Sequence, residues 1–388
     1  MDVREQKMLF MKDSYSARVA DSQEFMELLT KMEETGTWIR DVPLDKLYVR
    51  PVSKEPEEVA EDYHMEPETV ADTSRNSGLF LVLRGGEAYC LRSQGIRSLH
   101  ERAGISGAAY AKLPKETEAR HLNDGLKAMG GTGILRIIGD KCLGIHSSSY
   151  NPFSMSEAYG EAMDFFAKEF PEAKMLRAQI RYEGVQVWFD FSAYNEELFS
   201  DLQYALGTRR IRPTLLLGMG DAALSSISLC PQCESDGLRI PLGGKIELRH
   251  RGKEDLMPRF KRQLSLIEGQ FERPARQMAR MKNGNLVYPC DTFLNVAAEC
   301  GLLKSFAKAT NQACEMFEML TALPYRREGR EVTPLDVYLG LCRIISFVGD
   351  RKETGEKAAL KASQMVERAL GNFNWASFDY PRMGGKRT

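Results

Sequence analysis

Two kinds of hydrophobic spacing divide this chain near residue 253. Before that point, short alternating or continuous apolar runs meet at glycine-bearing turns. Leu79–Arg92 (LFLVLRGGEAYCLR), Gly133–Ser147 (GILRIIGDKCLGIHS) and Ala173–Ser192 (AKMLRAQIRYEGVQVWFDFS) each predict a β-hairpin. Helical spacing separates them. Ser22–Met32 puts Phe25, Met26, Leu28, Leu29 and Met32 on one face, and Ser98–Ala103 and Lys115–Met129 continue the theme. Ser154 can cap a helix running to Phe170, and Asn195–Leu206 predicts another. Thr214–Leu217, Ser225–Cys230 and Lys245–His250 read as strands.

Beyond residue 253 the period is helical throughout. Leu256–Met281 carries Phe260, Leu264, Ile267 and Phe271 at three- and four-residue spacing, with Pro274 expected to kink or split it. Asp291–Cys300, Lys304–Leu320, Pro334–Val348 and Glu353–Leu370 follow as helices. The expected fold is α+β: an antiparallel hairpin sheet with helices on one face, then an all-helical C-terminal region. The expected divisions are an N-terminal helical arm (1–50), an acidic linker (51–78), the α+β domain (79–253) and the helical region (254–388). In the aromatic and basic tail, Trp375, Phe378 and Tyr380 are expected to dock back on the core.

Composition narrows the class. Of 388 residues 43% are hydrophobic and 28% charged, as in an ordinary soluble protein with a substantial core. A formal charge of -1 excludes a global polycation, so any nucleic-acid partner must meet a local patch. No apolar run approaches the roughly 18 residues of a spanning helix, and the start, MDVREQKMLFMKD, lacks the apolar centre of a signal peptide. The eight cysteines are scattered in apolar runs, as buried reduced thiols are. A cytoplasmic protein with no membrane partner is expected.

Candidate chemistry is sparse. Cys230-Pro-Gln-Cys233 could present two thiolates to zinc, with His250 and Cys290 as the candidates to complete the site, although ordinary strand-end thiols are the simpler reading and no cofactor is the expectation. Gly218-Met-Gly220 resembles the start of a dinucleotide fingerprint but lacks its strand–helix context, and reads as a turn. No catalytic motif is recognised, so a non-enzyme is expected. The remaining lead is charge. Between His250 and Asn285, nine lysines and arginines face four acids. Arg251, Lys253, Arg259, Arg262, Arg273, Arg276 and Arg280 are candidates to neutralise phosphates, with Phe260 and Phe271 to stack on unpaired bases.

Several short motifs run in a familiar order. Leu113-Pro114 precedes His121-Leu-Asn-Asp-Gly-Leu126, and a hairpin ends in Ser147–Tyr150. Then come Gly218–Ser228, Cys233-x-x-Asp236-Gly237-Leu238, His250-Arg-Gly-Lys253 and Glu331-Val-Thr-Pro-Leu-Asp-Val-Tyr338. In these the chain resembles a large prokaryotic phage- and plasmid-associated family of unknown function, over roughly Leu79–Val348. Cys233-x-x-Asp236-Gly237-Leu238 departs from the family pattern by one extra residue and by Asp in place of Asn. The resemblance implies a mobile-element setting, hence DNA transactions or action against host defence. The expected function is binding of single-stranded DNA or RNA by a homo-oligomer, serving strand annealing or recombination. The alternative is a non-catalytic module with a host or phage protein partner, such as a defence inhibitor or an assembling scaffold.

Overall fold

The hairpins form at their glycine turns, but they belong to two sheets rather than one. The computed structural model describes residues 10–382 apart from 106, 108, 182–183, 195–198, 221–225, 244, 251–254, 350–354 and 372. In chain order, β1 (Ser16–Val19), α1 (Ser22–Glu34), β2 (Gly36–Pro43) and β3 (Tyr48–Pro51) come first. The described part of 1–50 is therefore no helical arm, because it supplies β1 to the edge of one sheet and β2 and β3 to the two edges of the other. Next come α2 (Pro56–Tyr63), α3 (Pro67–Arg75), β4 (Leu79–Val82), β5 (Ala88–Leu91), α4 (Ser93–Arg102), α5 (Lys115–Met129), β6 (Thr132–Ile138) and β7 (Lys141–Ser147).

The first sheet runs β2-β6-β7-β5-β4-β3, antiparallel except for the parallel β5–β7 pair. Helices cover both of its faces. Leu79, Leu81, Leu91, Leu135 and Ile145 pack with Leu99, Leu122 and Leu126 of α4 and α5. On the other face Phe80, Ala88 and Cys90 meet Val59, Ala60, Met65 and Val70. Two covered faces explain the unbroken apolar run of β4. They also correct the expectation of an acidic linker. The stretch 51–78 holds α2 and α3, each opened by a first-turn proline, with its glutamates on the solvent side of a thin apolar stripe and Asp72 turned inward.

The N-terminal segment is fastened to this sheet by buried charge. Asp13 lies 3.1 Å from Lys141 Nζ and 3.4 Å from Arg92 Nε, while Asp72 lies 2.8 Å from Lys141 Nζ. Lys141 also donates to Thr73, Arg92 to the Phe10 carbonyl, and the Asp13 amide to Asp72. Two acids and two bases thus balance with fixed hydrogen bonds, the condition under which buried charge is tolerated.

After α6 (Met155–Glu169) come β8 (Lys174–Arg181), β9 (Gly184–Asp190), α7 (Ser200–Leu206), β10 (Ile211–Met219), β11 (Ile227–Ser235), β12 (Leu238–Pro241) and β13 (Ile246–Leu248). They build the second sheet, β1-β8-β9-β10-β11-β12, with β13 also paired to β11. Ser154 caps α6 as expected, accepting from the Glu157 amide. The Glu33 carboxylate, from the end of α1, accepts from the Ser154 hydroxyl and the Ser156 amide. A negative group at a helix N-terminus adds to this cap.

The C-terminal region is mostly helical: α8 (Leu256–Leu264), α9 (Ile267–Lys282), α10 (Pro289–Glu299), α11 (Leu302–Glu328), α12 (Pro334–Gly349) and α13 (Gly355–Val366). The break after α8 falls at Ser265–Leu266, whereas Pro274 sits inside α9 without ending it. Being buried against the core, Pro274 is held by packing that outweighs its lost helical hydrogen bond. These helices share one core with the second sheet, in which Phe260, Phe271, Phe293, Tyr338 and Leu341 join Val187, Leu217 and Leu229. Residue 253 is thus not a packing boundary. The tail docks: Trp375 is buried, and Asp379 accepts from the Val287 and Tyr288 amides at the start of α10.

Candidate nucleic-acid interface

Helix α9 places its cations by simple periodicity. Arg273, Arg276 and Arg280 recur at three and four residues, so they share one face about 10 Å long. That face forms one wall of a groove of about 720 Å³. The opposite wall is built from the turn after β12 (Leu242, Gly243) and the segment after α13 (Glu367, Arg368, Leu370, Gly371). Gly243 and Gly371 hold positive φ, +72° and +89°, which glycine adopts without strain.

Among the described residues, four arginines therefore line the groove with one carboxylate. Arg276 is engaged with Glu272 on its own helix at 3.0 Å, an exposed pair of small energetic weight. Arg273 and Arg280 make no ion pair among the described residues. Burial raises the Glu367 carboxyl above its ordinary range, with Lys245 and Arg368 pulling the other way. A raised carboxyl weakens the one negative charge in the groove as pH falls. Such a surface suits a phosphate-bearing ligand, because guanidinium forks match phosphate oxygens in pairs.

The other expected participants lie elsewhere. Arg259 and Arg262 are on α8, outside the groove lining, and Arg251 and Lys253 lie outside the described residues. Phe260 and Phe271 cannot stack on bases as expected. Both are buried, and Phe271 packs against Phe191 and Phe199. The apolar stripe that marks a helix is the side that faces inward, so rings read from it are core rings. Lys282 is also occupied, donating to the Tyr204 carbonyl and lying over its ring. Arg368 was not among the candidates, and nothing local in the sequence marks it, since it joins α9 only through the fold.

The zinc set does not assemble. Cys230 and Cys233 are three residues apart on β11, so they point to opposite faces about 10 Å apart along the strand. His250 instead stacks on Tyr150 and packs on Phe153. Among the described residues no three His, Cys, Asp or Glu gather as a metal site. Burial pushes both thiols up to about 12, leaving them as inert strand residues.

Two other concavities frame the site. One of about 760 Å³ carries Arg210, Arg212 and Arg239, but Glu234 and Asp236 share its lining and Arg212 lies 3.6 Å from Asp190. Its charges are largely compensated. Another, of about 500 Å³, mixes apolar and polar lining, with Gln179, Gln186, Arg97, Arg181, Lys245 and Glu247 among its polar residues. No helix of the described residues is long and apolar enough to cross a membrane. No family model, curated protein or solved structure matches this chain.

Proposed function

We propose that this protein binds the phosphate backbone of single-stranded DNA or RNA along α9, as a homo-oligomer serving strand annealing or recombination in a mobile element. The observation that carries the reading is the gathering of Arg273, Arg276, Arg280 and Arg368 in one groove with a single carboxylate. The mobile-element setting rests on the motif resemblance between Leu79 and Val348, and the cytoplasm is the compartment proposed for it. With Phe260 and Phe271 in the core, capture is electrostatic, so affinity should fall steeply with salt and depend little on sequence.

A labelled oligonucleotide titrated at several salt concentrations tests this. Salt-sensitive binding is expected, with a log–log slope reduced by about 0.7 for each phosphate-contacting arginine removed. A duplex competitor should be weaker than a single strand, and native mass spectrometry should show more than one chain per complex. Absence of binding at low ionic strength would sink the proposal.

One observation favours the second reading, a protein-binding or scaffold module. Val287 (71% exposed), Tyr288 (42%) and Tyr380 (50%) stand near one another where Asp379 joins the tail to α10. Partner capture that survives reversal of the α9 arginines would support that reading instead.

A further inference from the structure

The strands of the second sheet alternate in the usual way, but their two faces differ sharply in kind. Ile180, Val185, Val187, Leu217, Leu229 and Leu248 point into the core. On the opposite face, direct cross-strand partners form one polar row. Gln179 of β8 pairs with Gln186 of β9, Gln186 with Gly218 of β10, Gly218 with Ser228 of β11, and Ser228 with Glu247 of β13. Directly paired residues project on one side, so this row runs about 19 Å across five strands at the usual strand spacing.

The row is the floor of the 500 Å³ cleft. Gly218 stands at its centre, where a Cβ would come within 2.8 Å of the Ser228 hydroxyl, so a side chain there would close the depression. The first turn and a half of α4 supplies Ser93, Gln94 and Arg97, while α13 supplies Leu360 and Gln364. Cations collect in the cleft as well. Arg181 follows Gln179 on the same face of β8, Arg97 comes from α4, and Lys245 precedes β13. Glu247 accepts a hydrogen bond from Ser226 at 2.7 Å and lies 3.7 Å from Lys245. Gln179 is buried at 4% exposure, Gln186 and Ser228 are half-buried and Glu247 is exposed, so the floor runs from a set polar end to an open rim.

We propose that this cleft is a binding pocket for a nucleoside phosphate. The half-buried Gln186 carboxamide presents a donor and an acceptor side by side, the pattern that pairs with the edge of a nucleobase. Arg97, exposed on α4, supplies the fork donors that a phosphate takes, and Glu247 can accept from sugar hydroxyls or a base amino group. The volume falls in the range of small-ligand sites. Lys245 of the pocket also acts on Glu367 of the groove, whose carboxyl it pulls down. Residues 242–243 and 367–371 line the groove, and the same two segments continue into Lys245 and Glu247, and back to Leu360 and Gln364, in the cleft. The occupant is thus either a free mononucleotide or the terminal nucleotide of a strand held on α9. The pocket itself stands independently of the α9 reading.

Calorimetry on the full chain with the common nucleoside monophosphates tests it, with inorganic phosphate as the reference probe. Saturable binding of at least one nucleotide, tighter than phosphate, is expected. Gln186→Leu should weaken it roughly tenfold or more with the melting temperature unchanged, and Arg97→Glu, on an exposed residue, should do the same. Arg273→Glu with Arg280→Glu should leave it intact, which separates failure of this pocket from failure of the groove. Competition by an oligonucleotide only when it carries a terminal phosphate would identify a strand end as the source; indifference to it would identify the free nucleotide. The proposal is overturned if no nucleotide binds more tightly than phosphate, or if both pocket variants bind as well as the parent.

Discussion

Two regions of this molecule concentrate charge, and they do so in opposite ways. Beneath the first sheet, Asp13, Asp72, Arg92 and Lys141 are buried, balanced in number and bound to one another. In the α9 groove, Arg273, Arg276, Arg280 and Arg368 lie around a single carboxylate. The first arrangement leaves nothing for a ligand to add, since each charge already has its counter-charge. The second leaves like charges side by side, a cost that a surface carries only modestly in water and that an arriving anion relieves. Compensation is what separates a structural cluster from a candidate site here.

The largest effect should come from breaking the balanced cluster. Lys141→Met leaves two buried carboxylates sharing no ammonium, and a loss of about 3–5 kcal/mol of stability is expected by chemical denaturation at neutral pH. The pH dependence follows. Burial alone would raise the Asp72 carboxyl, but the hydrogen bond and charge of Lys141 outweigh it and hold it below the ordinary range. Its contribution is therefore present above the unfolded value of about 3.9 and is lost as pH falls through the lower folded value. Without Lys141 burial dominates, the carboxyl is raised, and the deficit of the variant should shrink on acidification toward pH ~4.5. A deficit below about 1 kcal/mol at neutral pH would mean that the cluster does not carry the N-terminal segment.

The groove should respond in the reverse sense. Arg273→Glu with Arg280→Glu is expected to change stability by no more than about 0.5 kcal/mol, as for exposed sites, while weakening oligonucleotide binding about a hundredfold. Loss of folding in this variant would erase the distinction between the two regions. A smaller change is expected at Glu367. Its folded value is raised by burial, so its contribution to stability is complete below the unfolded value of about 4.3 and lost as pH rises through the folded value. Glu367→Gln should therefore stabilise slightly at neutral pH, tighten anion binding severalfold and remove the gain in affinity expected of the parent on acidification. Unchanged affinity in anisotropy titrations would place this carboxylate outside the binding surface.

The elements were legible in the sequence because each obeys a local rule. Ser154 caps α6, the glycine turns close the β4–β5, β6–β7 and β8–β9 hairpins, and Phe25 and Leu29 turn inward from α1. What could not be read depends on distance along the chain. The parallel β5–β7 pair, the separation into two sheets and the approach of Arg368 to α9 join residues whose partners no local pattern names. The acidic stretch 51–78 misled for a different reason. A two-helix layer needs few apolar anchors when it covers only part of a sheet, so its composition matches that of a linker. In the candidate site the cations of α9 were legible as periodic charge. The aromatics were assigned to the wrong side, because Phe260 and Phe271 follow the inward stripe.

The least change is expected at Cys230 and Cys233, a pair that looks reactive and carries no charge. With thiols at about 12, only about one part in ten thousand of Cys230 or Cys233 is thiolate at pH 8, so neither is a ready ligand or nucleophile. Zinc needs both sulfurs within about 2.3 Å of one point, while the β11 register sends them to opposite faces. A chelator should therefore leave the melting temperature where it was, and a thiol reagent should label these two residues only after denaturation. Stoichiometric zinc whose removal lowers the melting temperature would show that a third kind of cluster, held by metal, had been overlooked. Its absence of effect would leave compensation of charge as the one property that divides the two regions.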